Sequence, residues 1–336
     1  MTLTRNGASP EVQGVDPSTT GKRRWRDIAL LALLFAFVLA GLVGLAAATG
    51  WEETKQQLLK LSAVQFAILL LLSLVNYLMR AARWHVFSHR LGLETSFQQS
   101  LRHFLGGFAM SVTPGRVGEL IRMRWINRET GWPFERTAPL VLVDRASDLA
   151  AMSLLLAGGV ALSTGGISMA MPVAVLALGA AYVATRPALL SGCVTLIYRA
   201  LGKFPRLMTR IRKATRSIGV FSHGPVIAAT ITLGLLGWFA EGYAFHILLV
   251  WMGADIGLAK AIAIFVFSTL AGGLTGAPGG VGGAEAAMVA LLALEGIPLE
   301  TSIPATALIR LTTLWFAILI GLVVFPIAEA KSNAAK

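Results

Sequence analysis

Apolar residues run along this chain in long unbroken blocks, not at the two-residue spacing of a half-buried strand, and those blocks decide the class of fold. A helix that crosses a bilayer needs about 20 mostly apolar residues. Blocks of that kind occur at about 28–49, 58–80, 137–160, 168–185, 226–252 and 303–327. Two further apolar stretches, 98–128 and 258–296, are broken by turn-forming residues: Thr113 to Glu119 in the first and Gly272 to Glu285 in the second. Pro and Gly at that density end a helix. Each stretch therefore predicts two half-helices meeting at a glycine turn, a re-entrant hairpin that enters and leaves on one side. Such backbone survives at membrane depth only where protein or water covers it. The expected fold is an all-α polytopic membrane protein, with about six transmembrane helices and two re-entrant helical hairpins.

The ends of the chain differ from its middle. Residues 1–21 are polar and rich in Ser, Thr, Gly and Pro, and read as a disordered cytoplasmic tail, with a second short tail at 331–336. Residues 22–330 then form a single transmembrane domain. Lys22, Arg23, Arg24 and Arg26 precede the first apolar block, and Ala46-Ala47-Ala48 offers a small-residue cleavage site. A secretory signal has an apolar core of up to about 15 residues. The block Ile28 to Thr49 is longer, so it reads as a retained first helix.

Composition agrees with the blocks: 55% of the 336 residues are hydrophobic, only 14% are charged, and the mean hydropathy is +0.70. Soluble domains carry about a quarter charged residues. The net charge of +12 raises nucleic acid as a partner, but the bases stand in groups flanking apolar blocks, as the positive-inside rule requires. If six helices cross and neither hairpin does, the N-terminus, 80–136, 186–216 and the C-terminus share one face and hold 24 of the 29 Lys and Arg. That face is expected to be cytoplasmic, with both termini and Cys193 on it, in the inner membrane. Counting each hairpin as a crossing would put the basic segment 186–216 outside. This segment interleaves Leu, Ile, Tyr and Phe with its bases and reads as an amphipathic stretch on anionic headgroups. One cysteine and five scattered histidines exclude a disulfide framework and a metal cluster, so neither metal nor cofactor is expected.

The two interrupted motifs are alike: Pro-Gly-x-Val-Gly-Glu at 114–119 and Pro-Gly-x-Val-Gly-Gly-Ala-Glu at 278–285. Their surroundings keep register. Asn76 lies 38 residues before Pro114, and Glu241 lies 37 before Pro278. Arg145 follows Glu119 by 26 residues, and Arg310 follows Glu285 by 25. Units of about 58–160 and 226–327 are thus expected to repeat, and three intervening spans give them opposite orientation. Inverted repeats with broken helices at the midplane mark secondary transporters. The plainer reading is a duplicated bundle without transport, but intramembrane charges would then be costly.

Candidate substrate residues cluster on these motifs. Helix N-termini near Val117 and Val281 would point free N–H groups inward and favour an anion. Pro114, Gly115, Gly118, Pro278, Gly279, Gly280 and Gly282 shape the tips, and Arg116 adds a cation where the second tip has Gly280. The same glycines also suit close helix packing. Glu119 and Glu285 lie in first turns, where a carboxylate complements the dipole, or serve in gating or proton exchange. Arg145 has Asp148 at i+3, an available neutralising pair. Arg310 has no acidic neighbour within a turn, so its partner must come from another helix, for instance Glu285 or Glu241, or from the ligand. His246 reads as a packing histidine. No catalytic residue emerges.

The motifs carry a resemblance. Asn76 with Arg80 to Trp84, Thr113 to Glu119 with Arg122, Asp144-Arg145 with Asp148, Pro278 to Glu285, and Arg310 together resemble the flippase-like family related to the transmembrane region of lysylphosphatidylglycerol synthases. The resemblance covers about residues 25–330. It implies translocation of an aminoacylated phospholipid, a polyprenyl-phosphate-linked sugar or a hopanoid-type lipid, with membrane lipids and a lipid-synthesis enzyme as partners. The aminoacyl-transferase domain of the bifunctional relatives is missing from these residues, so synthase activity is not expected. Three functions stay open. They are a lipid flippase, a membrane glycosyltransferase resting only on Trp51-Glu52-Glu53, and a small-solute transporter or helper of a lipid-synthesis complex.

Overall fold

A computed structural model describes residues 61–113, 120–163, 170–201 and 217–335, together with Gln56. The expected first span 28–49, the tail 1–21, Trp51-Glu52-Glu53 and the tip residues Pro114 to Glu119 lie outside the described residues. Every described element is helical. In chain order these are α1 (Ala63–Leu91), α2 (Phe97–Gly107), α3 (Ile121–Thr130), α4 (Phe134–Leu162), α5 (Ala170–Thr185), α6 (Pro187–Leu201), α7 (Gly224–Trp251), α8 (Leu258–Leu274), α9 (Gly283–Leu294), α10 (Leu299–Arg310) and α11 (Phe316–Ala334). Short 3₁₀ turns at Phe108–Val112, Ser217–Phe221 and Pro278–Gly280 join them, and a π-turn at Leu311–Trp315 links α10 and α11 into one rod.

Three of these rods are long and apolar enough to cross a membrane: α1, α7 and the continuous run Leu299–Ala334. The helix α4 matches α1 in length at 29 residues, but Glu135, Arg136, Asp144, Arg145 and Asp148 lower its hydropathy. The span expected at 58–80 continues as helix to Leu91, carrying Arg80, Arg83, His85 and His89. Its start is fixed by a capping box in which Ser62 and Gln65 exchange side-chain and backbone hydrogen bonds, and its end by Gly92 in the left-handed conformation. The block at 168–185 becomes α5, which turns through 102° into α6. That bend separates an apolar rod from the start of the basic segment.

Both interrupted stretches are hairpins. In the second, α8 and α9 have 17 and 12 residues, about 25 and 18 Å of helix, each short of the roughly 30 Å hydrocarbon thickness. Their far ends meet, since Lys260 Nζ lies 2.6 Å from Glu295 Oε2. In the first, α2 and α3 are joined at their far ends through Glu129, which accepts from Arg102 Nη2 at 2.7 Å and faces His103 Nε2 at 3.1 Å. Each hairpin thus returns to the side it came from.

The element order therefore repeats: long helix, hairpin, long helix. The long helix α1 packs along α7. They run antiparallel, because Phe87 near the end of α1 meets Phe221 and Val226 at the start of α7, while Leu69 shares a cluster with Leu248 and Leu249. The closing helix of each half packs on the hairpin of the other, α4 against α8 and α11 against α2. Gly159 lets α4 approach the Ala259 and Ala263 backbone of α8, and Gly321 brings α11 against Phe108 and Ala109. Without a hydrophobic drive between helices in lipid, such small-residue contacts are what allow close association.

Candidate functional site

Among the described residues, two buried groups of charged side chains hang on a break or crossing of elements. The first lies where α1, α4 and α7 meet. Arg83, fully buried, donates from Nη2 to Asp144 Oδ1 and to Asp148 Oδ1, both at 2.7 Å. Arg80 Nη2 donates to the other Asp148 oxygen at 2.7 Å, and its guanidinium lies over the rings of Phe104 and Trp238. Trp238 on α7 completes Asp148 by donating from Nε1 at 3.1 Å. Arg145 Nη2 reaches Asp144 Oδ2 at 2.8 Å and Asp148 Oδ2 at 3.6 Å, so its nearest partner is the adjacent residue rather than the i+3 one. Among the described residues, three arginines meet two aspartates here.

The second group stands at the tip of the second hairpin. Arg310 donates from Nε to Glu285 Oε1 and from Nη2 to the Gly279 carbonyl at 2.9 Å. Glu285 turns its other oxygen to the Gly282 N–H at 2.7 Å, which caps α9. The carboxylate therefore complements the helix start and also neutralises a buried arginine. Gly279 and Gly282 have φ of 62° and 86°, which a side chain would strain, and a Cβ at Gly279 would lie 3.0 Å from Leu314. The turn Pro278–Gly280 at the tip of the second hairpin touches the turn Phe108–Val112 that follows α2.

The remaining sequence candidates are placed as follows. Asn76 is wholly buried against Gly237 of α7, whose bare face lies 3.4 Å from the amide nitrogen when a Cβ is built there. Glu241 is buried one turn further along α7. Arg122, at the start of α3, is buried among Trp84, Phe104 and Phe108, with its guanidinium 4.5 Å from the Phe104 ring. Pro114, Gly115, Arg116, Gly118 and Glu119 lie outside the described residues. Arg310 and Glu285 are brought together; Asn76 lies against Gly237, one turn from Glu241, where α1 packs on α7; Arg145 and Asp148 join the first group.

Sequence reasoning missed the centre of that group. Arg80 and Arg83 enter the sequence reading only through the resemblance, Asp144 only as a neighbour of Arg145, and Trp238 not at all. The signal was present: two bases three residues apart on one helix match two acids four residues apart on another. It also missed Glu129 and Glu295, which close the two hairpins and each stand ten residues after Glu119 and Glu285.

Antiparallel halves, paired hairpins and buried compensated charges define a polytopic helical membrane protein built around a polar centre. The profile of the lysylphosphatidylglycerol synthase transmembrane region matches residues 28–321, and the chain belongs to that family. Two proteins of the archaeon Methanothermobacter thermautotrophicus, both named UPF0104 membrane protein, are similar to it. One is 26% identical over 140 residues, 40% of this chain and 41% of the relative. The other is 24% identical over 118 residues, 35% of each. The chain thus spans about two fifths or less of the length of the curated relatives it matches.

Proposed function

We propose that this protein is a lipid flippase or lipid carrier of the cytoplasmic membrane, with its two halves acting as inverted repeats. Its substrate is an anionic or lipid-linked molecule: an aminoacylated phospholipid, a polyprenyl-phosphate-linked sugar or a hopanoid-type lipid. The observation that carries the reading is the contact of the second hairpin's tip with the turn that follows α2 of the other half, with buried Arg310 gripping that tip. Broken helices converging between antiparallel halves are how secondary carriers build a substrate site. A guanidinium suits a lipid phosphate because its planar donors match two phosphate oxygens. Rocking one half against the other would expose that site to each side in turn.

The test is reconstitution of the purified chain into liposomes carrying a fluorescent anionic phospholipid, with a zwitterionic analogue as control. Selective movement of the anionic lipid is expected, with part of the rate kept by Arg310→Lys and very little by Arg310→Ala. Because Arg310 also neutralises Glu285, the double variant Arg310→Met with Glu285→Gln separates the roles. Glutamine keeps the cap while losing the charge. Normal abundance with transport absent supports phosphate recognition by Arg310. Recovery of transport in that variant would refute it.

A further inference from the structure

Tyr77 reaches from α1 into the break between α10 and α11. It is buried, with its ring edge-on to Phe108, centroids 5.2 Å apart, and tilted against Phe316 at 6.1 Å. Its hydroxyl donates to the carbonyl of Thr313, 236 residues away and inside the π-turn Leu311–Trp315. The same oxygen accepts from the N–H of Ala317. The Thr313 carbonyl and the Ala317 N–H are the two groups that an uninterrupted α-helix would join, residue i to residue i+4. A phenol of one helix thus stands in the hydrogen-bond ladder of another, one of the few ways in which a long helix is broken without proline or glycine.

The chain prepares this turn. Thr312 and Thr313 donate their hydroxyls to the carbonyls of Leu308 and Ile309, which loosens the ladder just before it. Arg310 stands at the head of the turn, bonded to Glu285 and to the Gly279 carbonyl. Leu314, inside the turn, lies 3.0 Å from where a Cβ on Gly279 would stand. Two residues whose direction depends on the register of this turn therefore hold the tip of the second hairpin. Each residue of an α-helix adds about 100° of rotation. Closing the extra residue of the π-turn would swing Arg310 by that much relative to α11 and take it off the tip.

We infer that Tyr77 is a positioning residue for Arg310: its phenol, set between Thr313 and Ala317, keeps the π-turn open and so keeps the guanidinium aimed at the hairpin tip and at the anion it meets there. Tyr77 belongs to the first half and Arg310 to the second, so a side chain of one half fixes the geometry of the anion site in the other. Single π-turns inside helices gather at functional sites. The role in lipid recognition rests on the flippase reading; the hold on the turn and the tip does not.

The test removes one oxygen. In Tyr77→Phe the ring contacts stay, and the Thr313 carbonyl still accepts from the Phe316 N–H, so no buried acceptor is left bare. The full chain should accumulate, with its thermal midpoint in detergent moved by about 2 °C or less. Hydrogen exchange read by mass spectrometry should change in two separate segments, each by about fivefold or more. Amides of 278–285 should exchange faster as Arg310 leaves the Gly279 carbonyl, and those of 312–317 slower as the ladder closes. Unchanged exchange in either segment, or a uniform loss of protection over the whole chain, would overturn the positioning role and leave Tyr77 a packing residue. Failure of the variant to accumulate would overturn it too, since a hydroxyl that only positions is dispensable for folding. In liposomes, the anionic-lipid concentration for half-maximal movement should rise about fivefold with the maximal rate held within about twofold, the mark of weakened recognition. Movement that Tyr77→Phe leaves unchanged would overturn the role in recognition. Altered exchange with no lipid movement by the unaltered chain would sink the flippase reading and keep the hold on the tip.

Discussion

Arginine 83 shows at the scale of one residue what the fold demands. It is wholly enclosed and gives its donors to two aspartates, so neither partner can be removed alone without leaving a bare charge in low dielectric. Breaking a buried pair on one side costs about 3–5 kcal/mol. Arg83→Ala is therefore expected to unfold or fail to accumulate, as read by fluorescence-detected size exclusion. Arg83→Met combined with Asp144→Asn should recover much of the yield. Gly279 makes the opposite argument, because there the backbone matters and not a charge. Its positive φ and the 3.0 Å approach of Leu314 mean that Gly279→Ala should lower the thermal midpoint moderately, and Gly279→Leu should abolish both transport and a stable fold. Normal transport by the leucine variant would show that substrate does not pass the tip.

Among the elements, the two hairpins carry the most consequence. Neither spans a bilayer, so each depends on a latch at its open end. In the second, Lys260 and Glu295 are partly exposed, and removing that pair by Lys260→Ala should cost only about 1 kcal/mol, seen as a small fall in midpoint. In the first, Glu129 carries a heavier latch. Burial pushes its carboxyl up, but the hydrogen bonds and charges of His103 and Arg102 outweigh that and hold it below the ordinary glutamate value. A carboxylate lowered by folding adds stability at pH values above its unfolded pKa, and that stability drains away as pH falls through the folded value. The hairpin should thus be acid-labile below about pH 4. Glu129→Gln should be less stable at neutral pH and show a flatter response to acid, measured by thermal midpoint against pH.

For the molecule as a whole, the arrangement of bases sets a topology that labelling can check. If six helices cross and the basic segments share one face, as the sequence leads one to expect, exposed Cys193 of α6 should lie on the cytoplasmic side, beside the bend that follows α5. An impermeant thiol reagent should modify it in inside-out vesicles and not in intact spheroplasts. The reverse pattern would invert the orientation proposed for both halves. The two halves are not equal in charge. Asp144 and Asp148 of the first correspond in spacing from Arg145 to Ile309 and Thr313 around Arg310, so the ion network is built on one half alone. A carrier with that asymmetry would hold a charged headgroup more firmly from one side than from the other.

The sequence by itself determined that the chain is helical and membrane-embedded, because long apolar blocks admit no other structure in lipid. It also determined the two broken stretches and the matching register of Glu285 and Arg310, since Pro, Gly and charge are legible one residue at a time. Only the tertiary structure decided which charges meet. Arg83 finds Asp144 across 61 residues and Arg310 finds the Gly279 carbonyl across 31, distances over which spacing rules for a single helix say nothing. Nor could the sequence show that Asn76 lies unmet against Gly237. Hydrogen-bond satisfaction belongs to a pair of helices and their angle of approach, and to neither helix alone.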